Sequence, residues 1–209
     1  MKKGEQIKFD SEVTQLCIGC NWGAIQKQRW FGLQKEITTI DLDLCCIMFN
    51  DKGEFVDLLY SKMYEYNLLR KLGLLSINDI CNNAYSHSRD DMEGDRDGND
   101  GLDNEVISLN LKNIDISVSQ IYFFLNNCGQ QDFSQIPYAE IRLYKGEPNK
   151  IEKMYVKYDV TASTQYRDMT ALVMGKLIKY DNVWSFEAIG EAYEKFEFDR
   201  LIEYLKKRS

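Results

Sequence analysis

Apolar and polar residues alternate with a period of two along most of the chain, which is the period of β-strands. Short apolar segments of this kind are separated by polar turns. The pattern predicts nine strands, at residues 13–19, 42–49, 55–60, 106–111, 120–126, 138–144, 154–160, 171–180 and 183–189.

Turn sequences join several of these strands as hairpins. Residues 50–53 read Asn-Asp-Lys-Gly and residues 180–182 read Tyr-Asp-Asn, both typical of tight connections. Eight or nine short strands at this spacing, with few helices between them, are typical of two packed antiparallel sheets. We therefore predict an all-β fold, an antiparallel β-sandwich of about eight to ten strands.

Two segments depart from the period of two. Residues 64–74 predict a short helical connection, and residues 191–207 predict a C-terminal helix. The apolar residues of the second segment follow the helical spacing i, i+3, i+4 and i+7: Phe198, Leu201, Ile202 and Leu205. We expect one sandwich domain at 1–190 and an amphipathic helix at 191–209 that packs on it.

The acidity of the chain is local. The formal net charge is −7, and a single segment accounts for all of it. That segment holds one base, Arg96, and eight acids: Asp90, Asp91, Glu93, Asp95, Asp97, Asp100, Asp103 and Glu105. A neutral body with one anionic loop has no general attraction to nucleic acid, so the loop indicates a cation as partner.

Composition also bounds the location of the protein. The chain is 44% hydrophobic with only two prolines, which excludes a disordered protein. The N-terminus has Lys2 and Lys3 but no apolar stretch behind them, so we expect no secretory signal and a cytoplasmic protein. In that compartment the six cysteines are expected to be reduced and buried, and the isolated Cys17-Ile-Gly-Cys20 is expected to be structural.

The acidic loop has the chemistry of a calcium site. Calcium takes six to eight oxygen ligands, and glycines at 94, 98 and 101 allow tight turns that bring carboxylates together. An EF-hand does not fit. With Glu93 at position 1, position 12 is Asn104, and the required glutamate comes one place late at Glu105. The flanking segments also lack the two helices of that motif.

Five segments together resemble the TerD family of tellurium-resistance and stress-associated proteins, from about residue 16 to 190. They are the Gly-Cys-Asn-Trp of 19–22, the Asp-Leu-Asp strand of 40–46, the acidic loop of 87–107, the strand entry of 133–142 that ends in arginine, and the closing hairpin of 171–177 and 184–190.

The resemblance implies a β-sandwich that binds calcium, with two ions expected, and other tellurium-resistance proteins as possible partners. The ligands that it implies, by position, are Asp41, Asp43, Asp90, Asp91, Asp103, Asn104 and Glu105, with Asp95 and Asp97 as further contributors. Strand geometry agrees for the first pair, because residues two apart share one face.

Other functions are less well supported by the sequence. No GxSxG surrounds a serine and no glycine loop for phosphate follows a strand, so we expect no enzyme. A hydrolase that uses the ion as a Lewis acid is one alternative. A calcium-dependent membrane or protein adaptor is the other. Membrane association is not indicated, because few apolar or basic residues flank the loop: Arg89, Met92, Arg96 and Leu102.

Overall fold

The computed structural model describes residues 4–29, 34–59, 84–159, 164–194 and 198–207. These residues form thirteen strands and one α-helix, α1 (Phe198–Lys206). The strands are β1 (Gln6–Lys8), β2 (Gln15–Trp22), β3 (Ile25–Arg29), β4 (Gln34–Thr38), β5 (Leu42–Phe49), β6 (Phe55–Leu59), β7 (Tyr85–His87), β8 (Glu105–Asn110), β9 (Gln120–Asn127), β10 (Ala139–Glu147), β11 (Lys150–Asp159), β12 (Met169–Tyr180) and β13 (Val183–Glu194). The predicted helix at 64–74 lies outside the described residues.

Two antiparallel sheets stack face to face. The six-stranded sheet has the order β1-β13-β12-β9-β5-β6, and the five-stranded sheet has the order β11-β10-β2-β8-β7. Strands β3 and β4 pair as a separate hairpin. The predicted all-β sandwich is therefore confirmed, and each of the nine predicted strands has a counterpart.

Four strands were not predicted, and each lacks the alternation that would reveal it. Strands β3 and β4 are largely exposed along both faces, so no period of two marks them. Strands β1 and β7 have only three residues each, too few to show a pattern.

The predicted C-terminal helix is wrong at its start. Residues 191–194 continue β13, where Glu191, Ala192 and Tyr193 pair with Val173, Leu172 and Ala171 of β12. Pairing with a central strand overrides the helical spacing at residues 191–194, and the helix that the structure describes is Phe198–Lys206.

Most buried apolar side chains of the described residues fall into two clusters. The central core lies between the sheets and includes Ile18, Trp22, Leu44 and Phe123, each at most 1% exposed. A second cluster lies on the outer face of the six-stranded sheet, where Leu205 of α1 is fully buried with its neighbours. The helix therefore packs on its own sandwich, as expected.

Candidate metal centre

The acidic loop reaches the first half of β5, where the two sheets meet. In the described part of the chain, strand β6 pairs with β5 from Cys46 to Phe49. Before Cys46, the main chain of β5 contacts the acidic loop and β7. The backbone N–H of Leu44 donates to Glu105 Oε2 at 2.8 Å, and His87 Nε2 lies 2.7 Å from the carbonyl oxygen of Leu44.

Three carboxylates converge beside this junction. Asp41, Asp43 and Asp90 each offer an oxygen, and these oxygens all lie within 4.8 Å of one another. Asp43 is only 2% exposed. Among the described residues, the buried Asp90 Oδ1 accepts no hydrogen bond. Buried polar atoms are normally paired, and a bound cation would pair with this oxygen.

The raised pKa values of two carboxyl groups at the cluster also favour a bound cation. Burial, followed by repulsion from Asp43, Asp90 and Asp91, raises the pKa of Asp41 to about 6. Burial also raises the pKa of Glu105 to about 9, although hydrogen bonds from the main chain of Leu44 and Asp91 oppose the shift. Both carboxyl groups therefore hold protons unusually tightly, as expected where negative charge is crowded and uncompensated.

Asp91 and Asn104 shape the loop next to the three carboxylates. Asp91 Oδ1 accepts from the N–H groups of Glu93 and Gly94, at 2.9 Å each. Its other oxygen accepts from Asn104 Nδ2 at 3.2 Å, and Asn104 Oδ1 accepts from the N–H of Trp22 at 2.8 Å. These bonds fix the loop on β2 at the edge of the cluster.

Asp95 lies further along, on the outer face of the five-stranded sheet. Its Oδ2 accepts from the hydroxyl of Tyr138 at 2.7 Å and from Asn21 Nδ2 at 3.4 Å, and its Oδ1 accepts from Asn104 Nδ2 at 3.2 Å. Asn21 is fully buried, and its Oδ1 has no hydrogen-bond partner among the described residues. Two more oxygen-bearing side chains thus lie together here, apart from the first three.

The carboxylate of Asp103, a predicted ligand, contacts Arg142 and Tyr144 instead. Its Oδ1 forms an ion pair with Arg142 Nε at 2.8 Å, and its Oδ2 accepts from the hydroxyl of Tyr144 at 3.1 Å. The carboxylate lies directly over Gly19, where an added Cβ would be only 2.1 Å from Oδ2. Among the described residues, Asp103 is therefore not grouped with Asp41, Asp43 and Asp90.

Asp97 is also separate from the converging carboxylates. Its side chain is 94% exposed and pairs with Lys35 of β4 at 3.1 Å. Gln26 Nε2 donates to the carbonyl oxygen of the neighbouring Arg96 at 2.6 Å. Asp97 thus lies where the loop meets the β3–β4 hairpin, away from the cluster in the part of the chain described.

Three residues that the structure places at the site were not predicted from the sequence as site residues. Asn21 belongs to the Gly-Cys-Asn-Trp segment, which contributes to the family resemblance but does not predict Asn21 as a ligand. His87 contacts β5, and Cys128 Sγ donates to Asp43 Oδ2 at 2.5 Å. The backbone N–H of Cys128 also donates to the carbonyl oxygen of Asp41 at 3.0 Å. None of these contacts has a signal in sequence spacing.

These features define an antiparallel β-sandwich in which carboxylates of a strand and of an acidic loop converge at the junction of its sheets. The model of the TerD domain matches residues 1–204, so the chain belongs to the TerD family. No helix in the described part of the chain is long and apolar enough to span a membrane.

Named relatives fall among tellurium-resistance and general stress proteins. The chain is 26% identical to the tellurium resistance protein TerZ of Serratia marcescens over 186 residues, covering 88% of this chain and 83% of TerZ. It is 30% identical to TerD of the same organism over 116 residues, 53% of this chain and 55% of TerD. It is 26% identical to general stress protein 16U of Bacillus subtilis over 117 residues, 54% of this chain and 56% of that protein.

Two solved structures share the fold. A crystal structure of a protein of unknown function superposes with a TM-score of 0.61 at 14% identity. A homologue of the telluride resistance protein TerD from Streptomyces coelicolor superposes with a TM-score of 0.59 at 10% identity. Each likeness covers 88% of this chain and 92% of the other. At these identities the likeness concerns the fold alone.

Proposed function

We propose that this TerD-family protein is a calcium-binding module that acts in tellurium resistance or the general stress response. One observation carries the proposal. Asp41 and Asp43 of one segment and Asp90 of the acidic loop bring oxygens within 4.8 Å of one another, and a buried oxygen of Asp90 meets no donor in the part of the chain that the structure describes. A cation would satisfy that oxygen and neutralise the cluster.

The donor set favours calcium over other cations. Asp91 and Glu105 lie next to the three converging carboxylates, since the N–H of Asp91 donates to Glu105 Oε1 at 3.3 Å. Calcium accepts six to eight oxygens in flexible geometry, whereas magnesium keeps several waters and needs few carboxylates. A crowded, partly buried set of carboxylates therefore suits calcium.

The first prediction concerns calcium binding itself. Protein stripped with EDTA should bind calcium with measurable heat in titration calorimetry, and magnesium at the same concentration should bind more weakly. Terbium offers a second readout, because Trp22 donates through Nε1 to the carbonyl oxygen of Ile40, directly before Asp41. Excitation of tryptophan should sensitise bound terbium, and calcium should displace it. Absence of calcium heat at millimolar concentration would contradict the proposal.

We propose two ions for each chain. The second would lie by Asp95, where no described residue donates to the buried Asn21 Oδ1. The Asp95 carboxylate accepts from neutral donors, the Tyr138 hydroxyl and the Asn21 amide. The calorimetric stoichiometry tests this number directly. A stoichiometry of one would restrict the proposal to the cluster of Asp41, Asp43 and Asp90.

The second prediction concerns protons. At pH 7 the calcium-free protein holds a proton on Glu105, whose pKa is about 9, and calcium must displace it to use the carboxylate. We expect about one proton to be released for each ion bound at this site. Calcium affinity should then increase from pH 6 to 9. Titrations in PIPES and in Tris should give heats that differ by the ionisation enthalpies of these buffers, and equal heats would contradict proton release.

The raised pKa of Glu105 also predicts how the stability of the calcium-free protein depends on pH. Since the folded pKa of Glu105 is above its unfolded value of about 4.3, the calcium-free folded state binds more protons than the unfolded state between those two values. Stability of the calcium-free protein should therefore fall as pH rises through this window. Calcium should reverse the trend, because it stabilises the ionised carboxylates.

We propose binding rather than catalysis as the role of the centre. The single histidine, His87, has ring nitrogens 2.9 Å from the carbonyl oxygen of Ser88 and 2.7 Å from that of Leu44. Both nitrogens are thus engaged with the main chain, and neither is poised as a base toward a substrate. Other tellurium-resistance proteins in the cytoplasm are the partners that we propose for this module, on the ground that named relatives belong to that group.

A further inference from the structure

A cavity of about 160 Å³ lies between the two sheets, away from the acidic loop. One wall comes from β2, β10 and β11 and includes Ile18, Leu143 and Val156. The facing wall comes from β12 and β13 and includes Met174, Phe186 and Ala188. In the six-stranded sheet, β9 separates these strands from β5, which carries Asp43. The cavity and the metal centre are therefore separate features.

The walls of this cavity are apolar. Arg142 is the one charged residue among the described residues that line it. Its neighbours Ile141 and Leu143 belong to the central core, so strand alternation places the Arg142 side chain on the opposite face of the sheet. There the guanidinium contacts Asp103 and donates through Nη1 to the carbonyl oxygen of Gly101 at 2.9 Å. Arg142 thus contributes main chain to the cavity and no charge.

The polar side-chain group beside the cavity is already paired. The hydroxyl of Tyr158 lies 2.8 Å from that of Tyr166, within hydrogen-bond distance. Gly190 lies against the same tyrosine, since a Cβ added there would be 3.6 Å from the Tyr158 hydroxyl oxygen. A guest would therefore meet hydrocarbon on most sides and one hydroxyl pair.

Leaving an apolar space of this kind empty costs free energy, and so does filling it with water. Protein interiors are close-packed, and side chains that face a void lose dispersion contacts. Water needs two to four polar partners, which apolar walls do not provide. Apolar cavities of about 150 Å³ in other proteins stay dry and bind benzene.

We propose that this cavity binds a small, uncharged apolar molecule about the size of a single aromatic ring. Its volume sets the size of the ligand, and its apolar walls set the chemical class. The hydroxyl pair of Tyr158 and Tyr166 can accept one weak polar contact from a ring substituent. The proposal does not depend on calcium.

Toluene is a suitable probe, followed by the methyl signals of methionine in carbon-13 NMR of the full chain. Met174 lines the cavity, and Met48 is a fully buried core methionine that does not. We expect a saturable shift of the Met174 methyl and little change at Met48. Toluene should also raise the melting temperature. A Met174 signal that stays constant, or shifts without saturation up to the solubility of toluene, would overturn the proposal.

A filling substitution provides the matched control. Ala188→Leu adds carbon atoms inside the cavity, so it should weaken toluene binding by at least about tenfold while the protein stays folded. Ala192→Leu makes the same change further along β13, at a residue that packs against the core but does not line the cavity, and it should bind toluene as the unaltered chain does. Equal toluene affinity in the Ala188→Leu protein and the unaltered chain would also overturn the proposal, because the ring would then bind elsewhere.

Discussion

Asp90→Asn should lower the affinity for calcium by about 100-fold, since affinity at such sites follows the number of charged oxygen ligands. Asp90 is the one member of the converging cluster that comes from the acidic loop, whereas Asp41 and Asp43 come from the segment that enters β5. Its substitution therefore removes the link between the two segments as well as one negative charge.

The calcium-free protein should respond in the opposite direction. Repulsion from Asp90 is one cause of the raised pKa of Asp41, so removing that charge relieves a cost of folding. The Asp90→Asn protein without calcium should be as stable as the unaltered chain or more stable. A residue with a purely structural role would instead lower stability in both states. Urea unfolding with EDTA and with calcium separates these two cases.

Asp97→Asn is the matched control for this substitution. It removes the same charge from the same loop, but Asp97 is exposed and pairs with Lys35 at 3.1 Å. Exposed ion pairs contribute little, so calcium affinity should change by less than about threefold. If both variants lose calcium to the same extent, the loop attracts the cation by its overall charge and the ordered cluster is not the site.

Most strands of the fold could be predicted because the sequence shows either alternating apolar and polar residues or short apolar runs. Strands such as β13 begin with alternating buried and half-buried residues, and central strands such as β5 and β9 are short, mostly apolar runs that are buried on both faces; both patterns are visible in the sequence. The β3–β4 hairpin could not be found in this way. Its residues are largely exposed, and it is held by its own pairing and by contacts such as that of Gln26 with the loop.

The site was predictable in part. Asp41, Asp43 and Asp90 were among the predicted ligands and do converge. Sequence could not separate them from Asp103, because nothing in an acidic loop shows which carboxylate will meet an arginine of a distant strand. Arg142 reaches Asp103 only because β10 pairs with β2 and because Gly19 leaves room for the carboxylate. Cys128 reaches Asp43 through the pairing of β9 with β5, which is also a tertiary event.

Arg142→Met should destabilise the protein by about 3–5 kcal/mol, because it leaves a buried charge without its partner. Arg142 and Asp103 are 7% and 6% exposed, and their side chains are 2.8 Å apart. The guanidinium also binds the carbonyl oxygen of Gly101, so the substitution releases the end of the acidic loop from the outer face of the five-stranded sheet. Calcium affinity should fall together with stability, although neither residue belongs to the converging cluster.

Two further measurements identify the cause. Burial raises the pKa of Asp103 and Arg142 lowers it, so loss of the arginine should raise that pKa further. A group with a raised folded pKa favours folding below its unfolded pKa and loses that contribution as pH rises. The cost of Arg142→Met should therefore be smaller at pH 5 than at pH 8, as measured by urea unfolding with EDTA. An equal cost at both pH values would mean that lost packing, and not the unpaired carboxylate, is responsible.

The double substitution Arg142→Met with Asp103→Leu completes the test. Replacing both members of a buried ion pair by apolar residues of similar size is often nearly neutral, since no charge is left buried alone. We expect the double variant to recover most of the stability lost in Arg142→Met, and the two substitutions to be strongly coupled in a double-mutant cycle. If stability returns but calcium affinity does not, the ion pair positions the loop for the cation. If both return, any apolar contact between residues 103 and 142 is sufficient to hold the loop on the sheet.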